Sequence, residues 1–319
     1  MFCPWNNCTF MNPFYRLYPD CILVCGRVQS AIYDLTRGNI HLIPNSLASL
    51  IEKDTIDLGQ DNAGIQELLG YLNENELGRY GMSGEIKEIS KDFECPSIIS
   101  NAIIEIDKQF RELPLQRIAC ELSELLCEAV YLHFVSDCDI DSILNVSECF
   151  NALSFRSIDI GVRYHEKIMC DVEKMIENIP LCSKIIVSGS PYNQTSIVGR
   201  DIALRFTDSG QSCTNLSSKR DYSKWAIPKL PLYLESLRFN NCLYKKVCID
   251  RVGNIRNCPA SSDAYGNVIN SDSLTSIVQS SDFQKLWTIT NDLNNKCCDC
   301  ELRYACQCCI FDRTTCAYR

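Results

Sequence analysis

Histidine is scarce in this chain. His41, His133 and His165 are the whole complement, scattered over strand-like segments where packing or hydrogen bonding is expected of them rather than catalysis. Long apolar runs are missing too. The richest stretch, residues 122–135, is interrupted by Glu124, Glu128 and His133, well short of the ~20 apolar residues a membrane-spanning helix needs. The opening Met1-Phe2-Cys3-Pro4-Trp5-Asn6 has neither the basic nor the apolar region of a signal peptide, so a cytoplasmic protein with no membrane partner is expected. No glycine-rich loop precedes a helical pattern, which leaves nucleotide binding without support. Ser188-Gly189-Ser190 lacks both the setting of a nucleophile elbow and a credible base. Excess positive charge is absent: the net charge is -9, with a sequence pI near 5.0, which argues against nucleic acid as the main partner.

Cysteine, by contrast, is abundant, at 22 of 319 residues, and the apolar content of 46% can supply real cores. A chain of this length is expected to form two or three compact units. Disulfide frameworks belong to small secreted domains, so a reduced compartment fits better. Cys120, Cys127, Cys149 and Cys170 fall on apolar positions of helical patterns, where a thiol is a small hydrophobe. The tail differs. Cys242 is followed by Cys248, Gly253 and Cys258, then by Cys297-x2-Cys300-x5-Cys306-x2-Cys309 and by Cys316. A spacing of two residues lets neighbouring sulfurs converge on one centre, so these thiolates are expected to be metal ligands, for iron–sulfur clusters or, as the alternative, zinc. Gly253 allows the backbone to turn back and bring Cys258 toward Cys242 and Cys248.

Along the chain, Cys21–Cys25, Ser30–Leu35 and Ile40–Ile43 read as strands, with a turn at Thr36–Asn39. Pro44 stops the third, and Asn45 is expected to cap a helix. Ile65, Leu68, Leu69 and Leu72 form one helical stripe. Residues 1–80 thus read as a winged-helix-like module. Residues 81–95 look like a linker. From Ile99 strands and helices alternate: strands at 102–106, 130–135, 158–164, 184–188 and 202–206, with helices between the first four. That alternation implies right-handed crossovers and a parallel sheet, open or curled into a partial barrel, over 81–238. Residues 207–240 read as irregular, punctuated by Pro228 and Pro231, and a cysteine-rich domain fills 239–319.

The tail resembles the SPASM domain of peptide-modifying radical S-adenosylmethionine enzymes. Asn241-Cys242-Leu243, Ile249-Asp250, Gly253-Asn254-Ile255, Asn257-Cys258-Pro259 and Cys300-Glu301-Leu302-Arg303-Tyr304-x-Cys306 look like one subgroup, the SPASM-domain peptide maturases of grasp-with-spasm systems. Those systems pair an ATP-grasp ligase with a short ribosomally made precursor peptide. The resemblance implies two [4Fe–4S] clusters, one on Cys242, Cys248, Cys258 and Cys309, the other on Cys297, Cys300, Cys306 and Cys316. Cys298 and Cys308 are alternative ligands. It also implies an α/β fold in three parts: a precursor-recognition module, a degenerate radical-SAM-like β/α barrel and the SPASM domain.

One element of that family is missing. The radical chemistry needs Cys-x3-Cys-x2-Cys after the first barrel strand, yet Asp107 is followed by Lys108-Gln109-Phe110-Arg111-Glu112-Leu113-Pro114. Val135 also runs into Ser136 and Asp137 where a Gly-Gly-Glu-like methionine-binding end would stand. Cleavage of S-adenosylmethionine is therefore not expected. In the front module, Ile40, His41, Leu42 and Ile43 with Ile65, Leu68, Leu69 and Leu72 are expected to form a groove that takes an extended leader peptide as an added strand. Two functions remain open. The chain is a peptide maturase acting with the ligase, or a non-catalytic adaptor, stabilised by iron–sulfur or zinc, that delivers precursor to it.

Overall fold

In the computed structural model of the chain, residues 14–59, 63–81, 90–107, 113–151, 153–208, 228–295 and 297–306 are described. They fall into two units. The described residues of Met1–Phe93, Asp221–Asn241 and Ile289–Gln307 form the first, and those of Glu94–Arg220 and Cys242–Thr288 form the second.

The first unit holds two small antiparallel sheets. β1 (Phe14–Leu17) lies between β5 (Thr55–Asp57) and β6 (Gly78–Gly81), and β2 (Cys21–Cys25), β3 (Ser30–Asp34) and β4 (Asn39–Ile43) form a meander in that order. The strands at β2–β4 stand where the alternating and β-branched residues place them. β1, β5 and β6 escape sequence reading because each is four residues or shorter and β6 is framed by two glycines. The meander packs against a core on each face, alternate residues of its strands pointing to opposite sides. Cys21, Ile32 and Ile43 face a core completed by Ile65, Leu68, Leu69 and Leu72 of α2 (Ala63–Glu74). Val24, Ala31 and Tyr33 face a second core with Tyr233, Leu234 and Ala305, against which Ile40 and Leu42 pack. Every residue of β3 is buried in consequence.

α1 (Asn45–Ala48) corrects one expectation. Its N-cap is Pro44, and no side chain caps it. Asn45 is spent elsewhere: Nδ2 donates to the carbonyls of Gly26 at 3.1 Å and Arg27 at 3.2 Å, and Oδ1 accepts from the Ser30 hydroxyl at 2.7 Å. The side chain ties the β2–β3 turn to the helix rather than closing the helix end. A second correction concerns Pro228 and Pro231. Residues Leu230–Ser236 are a helix, and Pro231 sits in its first turn, where the missing N–H costs nothing and the fixed φ favours entry.

The second unit is a large, mostly parallel α/β layer. α3 (Leu115–Glu124), α4 (Ile140–Asn151) and α5 (Ile168–Asn178) link β7 (Asn101–Ile106), β8 (Ala129–Phe134), β9 (Ser157–Arg163) and β10 (Cys182–Ser188); the helix Leu230–Ser236 of the first unit is α6. With β11 (Gln194–Val198), β12 (Ile202–Thr207), β13 (Lys246–Ile249) and β14 (Ile255–Arg256), the sheet order is β11-β12-β10-β9-β8-β7-β13-β14, β11 running antiparallel to β12. Right-handed crossovers between adjacent parallel strands put α3, α4 and α5 on one face. That face is dry: Ile104, Leu132, Ile160 and Ile185 are all fully buried. β13 (Lys246–Ile249) comes from the cysteine-rich segment and pairs in parallel with β7, a long-range junction invisible in the sequence pattern. Among the described residues no helix is long and apolar enough to cross a membrane.

Candidate metal centre and the polar sheet face

The six described cysteines expected as ligands divide three and three. Cys242, Cys248 and Cys258 belong to the second unit; Cys297, Cys300 and Cys306 belong to the first. Cys309 and Cys316 lie outside the described residues. Among the described residues, no three His, Cys, Asp or Glu side chains converge where they could hold one metal ion. These six thiols therefore do not by themselves form a cluster cradle among the described residues.

Local structure explains much of the motif around them. Cys248 sits on β13, opposite Ile103 of β7 and Arg256 of β14 (Ile255–Arg256), fully buried. Burial, with Glu105 and Asp250 adding, pushes its thiol well above the usual value of 9.0. The hairpin turn after it is the one Gly253 was expected to make. Gly253 has φ +85°, and a Cβ there would lie 2.9 Å from Asn267 Oδ1 and from Ile269. Asp250 Oδ1 accepts from the backbone N–H of Val252 and Asn254, and Oδ2 from Arg256 Nε at 2.8 Å. Burial raises the Asp250 carboxyl, but these hydrogen bonds outweigh it and hold it below 3.8.

Polar residues between the cysteines bind backbone. Asn241 Nδ2 donates to the carbonyls of Tyr304 and Cys306, both at 3.3 Å, and Asn257 Nδ2 to the Phe283 carbonyl at 3.0 Å. The Cys297–Cys306 segment is stitched to the β2–β3 hairpin. Tyr33 donates its hydroxyl to the Glu301 carbonyl at 2.7 Å, Gln29 Nε2 donates to Glu301 Oε1, and the Arg27 N–H donates to the Asp299 carbonyl. Arg303 Nη1 donates to the carbonyls of both Cys25 and Cys300 at 2.9 Å. These polar residues therefore fix the loop paths around the cysteines.

The peptide-groove residues separate into two roles. Ile40, His41 and Leu42 are half-buried on β4, which pairs with β3 alone among the described strands, leaving one backbone edge open. Ile65, Leu68, Leu69 and Leu72 are at most 4% exposed and lie inside the core. They anchor α2 beside the strand. His41 links the two, its Nδ1 3.2 Å from the Tyr71 hydroxyl.

A second polar surface was missed in the sequence. Opposite the helix-covered face of the large sheet, Glu105 and His133 stand side by side in register on β7 and β8. The His133 ring stacks on Tyr131 at 5.6 Å and 10°. Tyr131 lies across Gly161 of β9, where a Cβ would be 2.1 Å from its hydroxyl, so glycine there makes room for the ring. Parallel sheets are usually apolar on both faces, and this one carries ionisable side chains near the carboxyl ends of its strands, where α/β folds bind ligands. The only sequence signal was the polar alternation of Glu105 with Ile104 and Ile106. Burial, then Arg163, pulls His133 below 6.5. In the unfolded chain that histidine takes up a proton at about 6.5, whereas the folded one resists it, so stability falls as pH drops below that value. Urea unfolding at about pH 7 and about pH 5.5 is expected to show the loss, and His133→Gln to reduce it. An unchanged pH slope in the variant refutes the assignment. His41, also lowered by burial, acts in the same direction.

No family model matches the chain, and no curated protein matches it. Among solved structures, the crystal structure of Streptococcus suis SuiB superposes on 92% of this chain and 94% of that one, at 10% identity and a TM-score of 0.27. At that level the likeness carries no inference about fold or chemistry.

Proposed function

We propose that the chain is a maturation factor for a ribosomally made peptide. It binds the precursor leader through the front unit, carries iron–sulfur clusters on its C-terminal cysteines, and acts with an ATP-grasp ligase. The observation that carries this reading is the partition of the thiols. The two expected ligand sets, less Cys309 and Cys316, each fall wholly within one unit. The open edge of β4 supports the leader-binding part, because an extended peptide adds to such an edge through main-chain hydrogen bonds.

The second reading is a non-catalytic adaptor, stabilised by iron–sulfur or zinc, that delivers the precursor to the ligase. One experiment separates them. Precursor is co-produced with the ligase alone or with ligase and this chain, and its mass is measured. A new mass shift is expected for a maturase. A greater yield of the same product assigns the adaptor role, and no effect of either kind removes both readings.

A further inference from the structure

The first unit contains a pocket of about 250 Å³ on the side of the meander away from β4. Its apolar lining includes Pro19, Ile22, Leu230 and Leu234, with Tyr18 and Tyr233 adding rings. Ile22 belongs to β2, the other edge strand of that sheet, which pairs with β3 alone among the described strands. Arg16, Asp54 and Lys91 stand at the same pocket.

The cations there are unpaired among the described residues. Neither Arg16 nor Lys91 has an ion-pair or hydrogen-bond partner for its side chain among the described residues, in a protein of net charge -9. Arg16 also lies directly opposite Arg79 of β6 in the antiparallel register, and Arg79 too has no ion-pair partner among the described residues. Like charges directly opposite on a sheet destabilise it, and an anion between them would relieve that repulsion. At the rim, Lys53 and Asp54 are the left-handed central residues, with φ 47° and 62°, of a tight two-residue hairpin turn closed by hydrogen bonds between Glu52 and Thr55. Here the Leu17 N–H holds the Asp54 carbonyl at 2.9 Å.

We infer that this pocket binds an extended acidic peptide, an apolar side chain entering between Tyr18, Ile22 and Tyr233 while neighbouring carboxylates meet Arg16 and Lys91. The choice of a peptide as occupant rests on the proposed function, but the site is distinct from the β4 edge. An alternating peptide suits it: side chains i and i+2 of a strand point the same way, so apolar and acidic residues address the pocket and the flanking cations in turn.

The test uses the full-length protein and a fluorescein-labelled hexapeptide alternating leucine and glutamate, followed by anisotropy. A matching peptide with lysine for glutamate is the control. The acidic peptide is expected to bind and the basic one not to. The double variant Arg16→Glu/Lys91→Glu is expected to weaken binding by at least about tenfold, while Lys91→Arg retains it. Binding is also expected to weaken as salt is raised. His41→Ala, at the proposed leader groove, is expected to leave the affinity unchanged. Thermal melts by circular dichroism establish that each variant is folded. Equal binding of the two peptides, or wild-type affinity in the folded double variant, overturns the inference. Loss of binding in His41→Ala instead moves the peptide to β4 and overturns it too, while leaving the leader-binding reading intact.

Discussion

Leu68→Ala is expected to cost the first unit about 2–5 kcal/mol of stability, a large share of the roughly 5–15 kcal/mol that holds a domain together. Leu68 is fully buried, as are Leu72, Tyr15 and Ile32 in the same core. Truncation therefore removes apolar contact and leaves a cavity that strands on one side and α2 on the other cannot close. The measurement is urea unfolding followed by far-ultraviolet circular dichroism, beside His41→Ala as a half-exposed comparison on β4. The result also decides what α2 contributes to peptide binding. If Leu68 anchors α2, the variant loses stability and binds precursor normally once conditions favour folding. If Leu68 instead lines an open groove, stability holds and affinity drops. A loss below about 1 kcal/mol would refute the packing described here.

Cys300→Ala and Cys306→Ala are expected to abolish precursor modification while leaving precursor affinity unchanged. Both cysteines lie on the segment tied to the β2–β3 hairpin through Tyr33, Gln29 and Arg303, so either variant keeps the loop path and loses only a thiol. Protein purified without oxygen is expected to contain iron and acid-labile sulfide, with about half of each lost in either variant under the two-cluster reading. Soft thiolate sets select iron–sulfur or zinc over hard cations, so metal analysis separates the alternatives. Colourless wild-type protein containing zinc alone excludes the clusters and leaves the adaptor reading. Normal modification by both variants would remove the catalytic cluster idea altogether. Gly26→Ala provides an orthogonal probe of the same junction. A Cβ there would lie 2.4 Å from the Gln29 carbonyl oxygen and 2.8 Å from the Glu301 nitrogen, so the hairpin and the cysteine segment must separate.

Much of the fold was legible because its signals are local. The meander of β2, β3 and β4 follows from alternating apolar residues and the turn at Gly38, which adopts φ 73°. The stripe of Ile65, Leu68, Leu69 and Leu72 predicts α2, and the alternation of strands and helices from Ile99 predicts the parallel layer. The failures share one cause. β5 has three residues and β14 two, too few to express a period, and each exists because a partner elsewhere supplies its hydrogen bonds. Pro231 looks like a stop in a linear reading and serves as a helix start.

The candidate sites divide in the same way. Which cysteines stand at ligand spacing, and that no Cys-x3-Cys-x2-Cys follows β7, are properties of residue order, and the sequence alone determines them. Order also dictates the acidic balance and the apolar stripes. Only the tertiary structure decided that β13 carries Cys248 into the large sheet, that Glu105 meets His133 across β7 and β8, and that Arg16 faces Arg79 beside an apolar pocket. Those neighbours are brought together by strand pairing and core closure, whose energies come from contacts between distant segments, and no local period in the chain encodes which distant partner each will find.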